Sequence, residues 1–204
     1  MKGKFITFEG SEGCGKSTQS KLLAAYFKKK GLAVVYVREP GGTKISEQIR
    51  KVLLDTKNEA MSQVCEMLLY MAARAQIVKE IIQPALKKGK IVISDRFLDS
   101  TLAYQGYGLG MEIEFIKKVG SYVTARIKPN LTIFLDLPIK KGLKHRKFCE
   151  DRIEKRAFNY HQRVRSGYLK LAAQEPKRIK IVQVEQNKDQ TQLKIRELIE
   201  KYVI

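Results

Sequence analysis

The sequence predicts an α/β domain: a five-stranded parallel sheet flanked by helices. Three observations carry this. Five short, continuous apolar runs recur along the chain, helix-like segments separate them, and a glycine-rich turn joins the first run directly to a helix. Continuous apolar runs suit strands covered on both faces. Strand–helix alternation specifies a parallel sheet. The chain has 204 residues, a length suited to one domain spanning 1–204, and its 44% hydrophobic content is ordinary for a globular protein.

The expected strands are Phe5–Glu9, Ala33–Val37, Ile91–Ser94, Leu131–Asp136 and Ile179–Val184. The first helix runs from Lys16 to Lys30 and ends at Gly31. A long helical stretch covers Ser62 to Lys88, with Pro84 bending or breaking it and Gly89 ending it. Within it, Met67, Leu68, Met71, Ala75, Val78 and Ile82 form an apolar stripe read as core. Shorter helical segments follow at Ser100–Tyr104, Glu112–Val119 and Pro138–Arg146, then longer ones at Phe158–Gln174 and Gln190–Tyr202. No repeat or low-complexity segment interrupts the pattern.

Composition narrows the function. No apolar run approaches the ~18 residues of a membrane span. The first strand begins almost at once, leaving no room for a secretory leader. Three cysteines without CxxC spacing fit neither a disulfide framework nor a zinc site, and suggest a reduced cytoplasm. The net charge of +19 invites a nucleic-acid reading. Against it, no zinc-finger or RNP-like signature occurs, and the lysine clusters fall at expected helix ends, where the helix dipole favours them. Handling of small, highly charged anions is the third reading.

The glycine cluster is specific. Gly10, Ser11, Glu12, Gly13, Cys14, Gly15, Lys16 and Ser17 match G-x-x-x-x-G-K-[ST], followed by Thr18, with a strand before and a helix after. Such a loop cradles phosphates on backbone N–H groups and a helix N-terminus. Lys16 would reach the β/γ-phosphates, and Ser17 would ligate Mg²⁺. The loop therefore holds a nucleoside triphosphate but does not say what becomes of it. A guanine-reading N-K-x-D is missing, since "NKDQ" has the wrong spacing and lies near the C-terminus. Asp95 follows the strand "IVIS" as a Walker-B aspartate would, and Arg96 beside it suggests a second anion near the γ-phosphate.

Other segments suggest an acceptor side. "REPGGTKISEQIR" places Arg38 after a strand and Arg50 on the next helix, and "LLYMAARAQ" places Tyr70 and Arg74 on one helix face. "SDRFLDSTLAYQG" groups Asp95, Arg96, Ser100, Thr101, Tyr104 and Gln105. Taken singly, each has a structural reading: Arg74 as a cation over Tyr70, Arg50 as a surface charge, Gln105 as a cap.

Taken in order, "FEGSEGCGKST", "REPGGT", "LLYMAARAQ", "DRFLDSTLAYQG", "FLDLP" and "DRIE" resemble the thymidylate kinase family over nearly the whole chain. The resemblance implies a P-loop, nucleoside-monophosphate-kinase fold with a mobile lid, transfer of phosphate from ATP to dTMP with Mg²⁺, and a homodimer. It implies dTMP contacts from Glu12, Arg38, Arg50, Tyr70, Arg74, Arg96, Ser100, Tyr104 and Gln105. Arg50 and Arg96 would meet the acceptor phosphate, Tyr70 would stack on thymine, and Arg74 would hydrogen-bond the base. Tyr104 would crowd a ribose 2′-hydroxyl, and Asp95 would lie near the metal. The expected lid, "HRKFCEDRIEKR" at 145–156, offers Arg146, Lys147, Arg152 and Arg156, with Arg146 and Arg152 the candidates for closing on the phosphates. Two rivals stand beside this reading: a kinase for another nucleotide or a nucleoside, and a non-catalytic, nucleic-acid-binding P-loop protein. Cys14, beside Lys16 and a helix N-terminus, is expected to react as a thiolate faster than Cys65, which the amphipathic pattern buries.

Overall fold

The computed structural model describes residues 3–144 and 151–203. Five strands form one sheet in the order β2-β3-β1-β4-β5, every pairing parallel. They are β1 (Lys4–Glu9), β2 (Val34–Arg38), β3 (Ile91–Asp95), β4 (Leu131–Asp136) and β5 (Ile179–Gln183), each within about a residue of its expected bounds. After β1 the chain moves to one side of the sheet for β2 and β3. It returns to the other side of β1 for β4 and β5. A crevice thus opens at the carboxyl ends of the central strands, where open α/β sheets bind ligands.

The helices are α1 (Lys16–Lys29), α2 (Lys44–Leu54), α3 (Gln63–Ile77), α4 (Gln83–Lys87), α5 (Leu98–Thr101), α6 (Ile113–Val123), α7 (Ile139–Lys144), α8 (Phe158–Gln174) and α9 (Lys188–Tyr202). Strand alternation divides the core between the two sheet faces. Ile6 and Phe8 pack with Leu23 and Phe27 of α1 and Ile195 and Ile199 of α9. Phe5 points the other way, toward Val92, Phe97 and Ile77. Beyond it, α3, α6 and α8 close around Met67, Met71, Ile116, Phe134 and Tyr168. Each of these buried side chains contributes about 1.5–3 kcal/mol of transfer free energy.

Two elements differ from the sequence expectation. The long helix is not broken at Pro84; it passes through a π-helical turn at Val78–Ile82, where Gln83 N–H bonds Val78 O five residues back. Pro84 has no N–H and its ring crowds the carbonyl four residues earlier, so the ladder shifts just ahead of it. The expected helix at Ser100–Tyr104 is instead α5 followed by a π-helical segment, Leu102–Gly108. The lysine clusters do sit at helix ends: Lys28 and Lys29 close α1, Lys87 closes α4 and Lys201 closes α9.

Candidate active site

The cradle is built on glycine geometry. Gly13 and Gly15 have φ of 69° and 87°. A Cβ at Gly13 would lie 2.0 Å from Gly142 O, so α7 packs directly on the loop. No side chain caps α1, and its first turn holds no acidic residue. Its N-terminal amides and dipole are thus presented to an anion. Lys16 is buried and donates to Ser11 O at 2.7 Å. Ser17 Oγ donates a short hydrogen bond to Asp95 Oδ2. Gly13, Gly15, Lys16, Ser17, Thr18 and Asp95 all line a cavity of about 470 Å³ that continues past the cradle.

Arg96 stands where the cradle meets the rest of this cavity. Its Nη2 donates to Glu12 Oε1 at 2.7 Å and lies 3.1 Å from Tyr104 Oη; its Nη1 donates to Ser100 Oγ at 3.1 Å. The guanidinium lies 4.9 Å from the Tyr104 ring centroid. Burial raises the Glu12 carboxyl, but Arg96 and then Lys16 outweigh it and hold the group down at about 2. The Arg96 backbone has φ of 72°, rare for a side chain of this size. Two bonds impose it: Arg96 N–H donates to Phe8 O at 2.9 Å, and Ser94 Oγ donates to Arg96 O at 2.6 Å.

The same cavity is lined by Tyr70, Gln105, Arg38 and Arg50. The loop "REPGGT" shapes one wall. Its Glu39–Pro40 peptide is cis, Thr43 caps α2 by accepting from Ser46 N–H at 3.1 Å, and Arg50 Nη1 bonds Pro40 O at 3.0 Å. Arg38 Nη2 sits on the Glu47 carboxylate at 3.0 Å. Arg74 lies behind this wall. It is 2% exposed, with Nε on Glu39 at 2.7 Å, Nη1 on Thr101 Oγ1 at 2.9 Å and Nη2 on Phe97 O at 2.9 Å. The cation–π contact of Arg74 is with Phe97, 5.5 Å from the ring centroid, and not with Tyr70 as its structural reading alone would have it.

The lid candidates divide. Arg146 lies outside the described residues. Arg152 is buried, and it does not line the cavity. Its Nε donates to Leu53 O at 3.0 Å and its Nη2 to Glu66 at 2.5 Å. In this structure its charge is therefore occupied at the α2–α3 side rather than at the cradle. Arg156 donates to the same Glu66 oxygen at 2.6 Å, and Gln105 Nε2 donates to the other at 2.9 Å. Glu66 thus gathers the described end of the expected lid and one pocket residue.

Sequence reasoning missed three carboxylates. Glu66 sits four residues before Tyr70 and eight before Arg74, a helical spacing that could have flagged it. Glu39 sits inside "REPGGT". Glu9 ends β1; it accepts from Phe97 N–H at 2.7 Å, Ser100 Oγ at 2.6 Å and Tyr168 Oη at 2.9 Å. Three expectations are corrected. Cys14 is buried, and burial raises its thiol despite Lys16. Cys65 is exposed rather than buried. Leu68, expected in the core, is 47% exposed.

Comparison with known proteins gives one family. The thymidylate kinase family model matches residues 8–195. A thymidylate kinase of Thermoanaerobacter sp. (strain X514) is 46% identical over 204 residues, covering all of both chains. One from Symbiobacterium thermophilum is 48% identical over 198 residues, covering 97% of this chain and 92% of its own. The crystal structure of thymidylate kinase from Ehrlichia chaffeensis superposes with a TM-score of 0.81 at 32% identity, covering 98% of this chain and 100% of that one. The chain belongs to the thymidylate kinase family.

Proposed function

We propose that this protein transfers the γ-phosphoryl group of ATP to dTMP, giving dTDP and ADP for dTTP and DNA precursor synthesis. The observation that carries the reading is Arg96. A half-buried, multiply held arginine stands beside a phosphate cradle, in one cavity with a ring-bearing pocket. The reaction needs two anions brought together in line, with the charge between them neutralised. A nucleoside monophosphate has its second pKa near ~6, so at neutral pH the acceptor is mostly a dianion and needs no general base.

Each side chain then has a task. Lys16 and the N-terminus of α1 hold the triphosphate. Arg96 exchanges part of its bonding to Glu12 for the acceptor phosphate, and Arg50, lining the same cavity, is the second cation for it. Tyr70 stacks on the base, Tyr104 leaves no room for a 2′-hydroxyl, and Glu12 faces the 3′-hydroxyl. Arg38, Ser100 and Gln105 complete the pocket, and Arg74 holds its wall. Ser17 Oγ and the Asp95 carboxylate are adjacent hard oxygen donors, suited to Mg²⁺. Ser17 and Asp95 would hold the ion, which would supply positive charge to offset that of the phosphates. Arg146 remains the lid candidate for the transferred group.

The protein acts as a homodimer through α2, α3 and α6. These helices are neighbours and present exposed Ile45, Val52, Val64, Leu68, Phe115 and Tyr122. A reduced cytoplasm accords with the free thiols of Cys14 and Cys65. An ADP-release assay against dTMP, dUMP, the ribonucleotide analogue and thymidine tests the proposal. Turnover should be greatest with dTMP; preference for thymidine or another monophosphate would replace it.

A further inference from the structure

A second cavity, of about 420 Å³, lies apart from the cradle, between α5, the C-terminal half of α6 and the loops entering β4 and β5. Phe97, Leu98, Leu102, Ile127 and Pro129 give it an apolar lining. Its two carboxylates, Asp99 and Glu175, are both bound by Arg178, at 2.7 and 2.8 Å. Two further lining cations, Arg126 and Lys128, are exposed and form no ion pair among the described residues. Lys117, the remaining lining cation, is paired with Glu114 at 2.8 Å. Lys128 acts on Glu175 from a distance, yet the lining holds four cations against two carboxylates, so the cavity combines an apolar interior with net positive charge.

The backbone here is unusual. Ala125 and Arg126 are consecutive non-glycine residues with φ of 49° and 59°. Bonds from Arg126 N–H to Ser121 O and from Ile127 N–H to Thr124 O, both 2.9 Å, hold them there. Backbone in this region is uncommon for side-chain-bearing residues and tends to be retained where the geometry has a use. It sets Arg126 in the cavity wall.

We propose that this cavity is an effector site for a small amphipathic anion, an aromatic body bearing one carboxylate, sulfonate or phosphate. The apolar lining takes the ring system, and Arg126 and Lys128 take the charge. The occupant touches the back of the acceptor site. Phe97 and Leu98 follow Arg96 directly. Phe97 N–H is held by Glu9, and Phe97 O accepts from Arg74. Leu98 lies against Gly120 of α6, where a Cβ would come within 2.5 Å of it. A ligand pressing on Leu98 shifts the segment that places Arg96 and Ser100. It therefore changes affinity for the acceptor, a coupling that rests on the role given to Arg96 above.

The probe is 8-anilinonaphthalene-1-sulfonate, whose fluorescence is titrated with ADP saturating the cradle, with and without dTMP. One saturable site is expected. Arg126→Glu/Lys128→Glu should weaken it by about tenfold or more, since two attractive charges become repulsive. Ser121→Trp, which fills the cavity from α6, should abolish it while dTMP turnover persists. Dye affinity should shift by about threefold or more as dTMP is raised and then reach a plateau, and dTMP affinity should shift by the same factor when dye is bound. Unchanged binding in both variants, or displacement by dTMP without a plateau, would place the dye in the nucleotide site and overturn the proposal. Binding with a coupling factor of one would overturn its effector role. Dye binding and its loss in the two variants are separate from acceptor choice, so a different preferred monophosphate would leave the binding result standing while removing the dTMP coupling.

Discussion

Arg74→Ala tests how the acceptor wall is held. The side chains of Arg74 and Glu39 are 2% and 3% exposed, and their contact is 2.7 Å. Truncating Arg74 leaves the Glu39 carboxylate buried without its cation and removes a donor from Thr101 Oγ1 and from Phe97 O, which keeps its bond from Ser100 N–H. Removing one partner of a buried ion pair costs about 3–5 kcal/mol, mostly because the remaining charge is stranded. Domains of this kind have about 5–15 kcal/mol in total. At about 2–4 °C per kcal/mol for a chain of this size, the midpoint should fall by roughly 10 °C. Thermal and urea unfolding of Arg74→Ala, Glu39→Gln and the double variant measure this, and the double variant should lose less than the sum. Below its midpoint, Arg74→Ala should weaken dTMP far more than ATP, because Glu39 and Thr101 line the cavity. A midpoint loss under about 3 °C, or equal weakening of both ligands, would refute the wall-holding role.

Three further outcomes follow from the site. Lys16→Ala should abolish transfer while leaving the fold intact, as circular dichroism and turnover together would show; near-normal turnover would contradict the cradle assignment. Cys65, exposed in the protomer, should alkylate before buried Cys14; peptide mass spectrometry finding Cys14 modified first would oppose the packing described. Burial, with Asp99 adding to it, raises the Glu9 carboxyl to about 7. The folded protein therefore binds a proton that the unfolded chain releases near its usual, lower carboxylate pKa. Stability should fall as pH rises through that window toward about 7, by at most about 3 kcal/mol. Urea unfolding across this range should show the slope, and Glu9→Gln should flatten it; parallel slopes would exclude Glu9 as its source.

The parts of the fold legible in the sequence were the local ones. Strands showed as continuous apolar runs, and the cradle showed because its glycines, lysine and serine are contiguous. The π-helical segments were not legible, because a shift of hydrogen-bond register leaves the apolar pattern nearly unchanged. Helix α2 was inferred around Arg50 without bounds, and its Ile45 and Val52 face outward. Arg152 was read as a lid cation because its partner, Glu66, lies 86 residues away in sequence. The same separation hid Glu66, a buried carboxylate in a stretch whose pattern predicts an apolar face. Cys14 was misjudged for a related reason: positive neighbours are visible in the sequence, but desolvation by packing is not.

The role proposed for Arg96 is to bring an acceptor phosphate to the triphosphate held by the cradle. The direct measurement is the fate of γ-labelled phosphate from ATP mixed with dTMP and Mg²⁺. The label should appear on the terminal phosphate of dTDP, with little free phosphate, and Arg96→Ala should lose this transfer while still binding ATP. Label released mainly as free phosphate, or transfer undiminished in Arg96→Ala, would contradict the account.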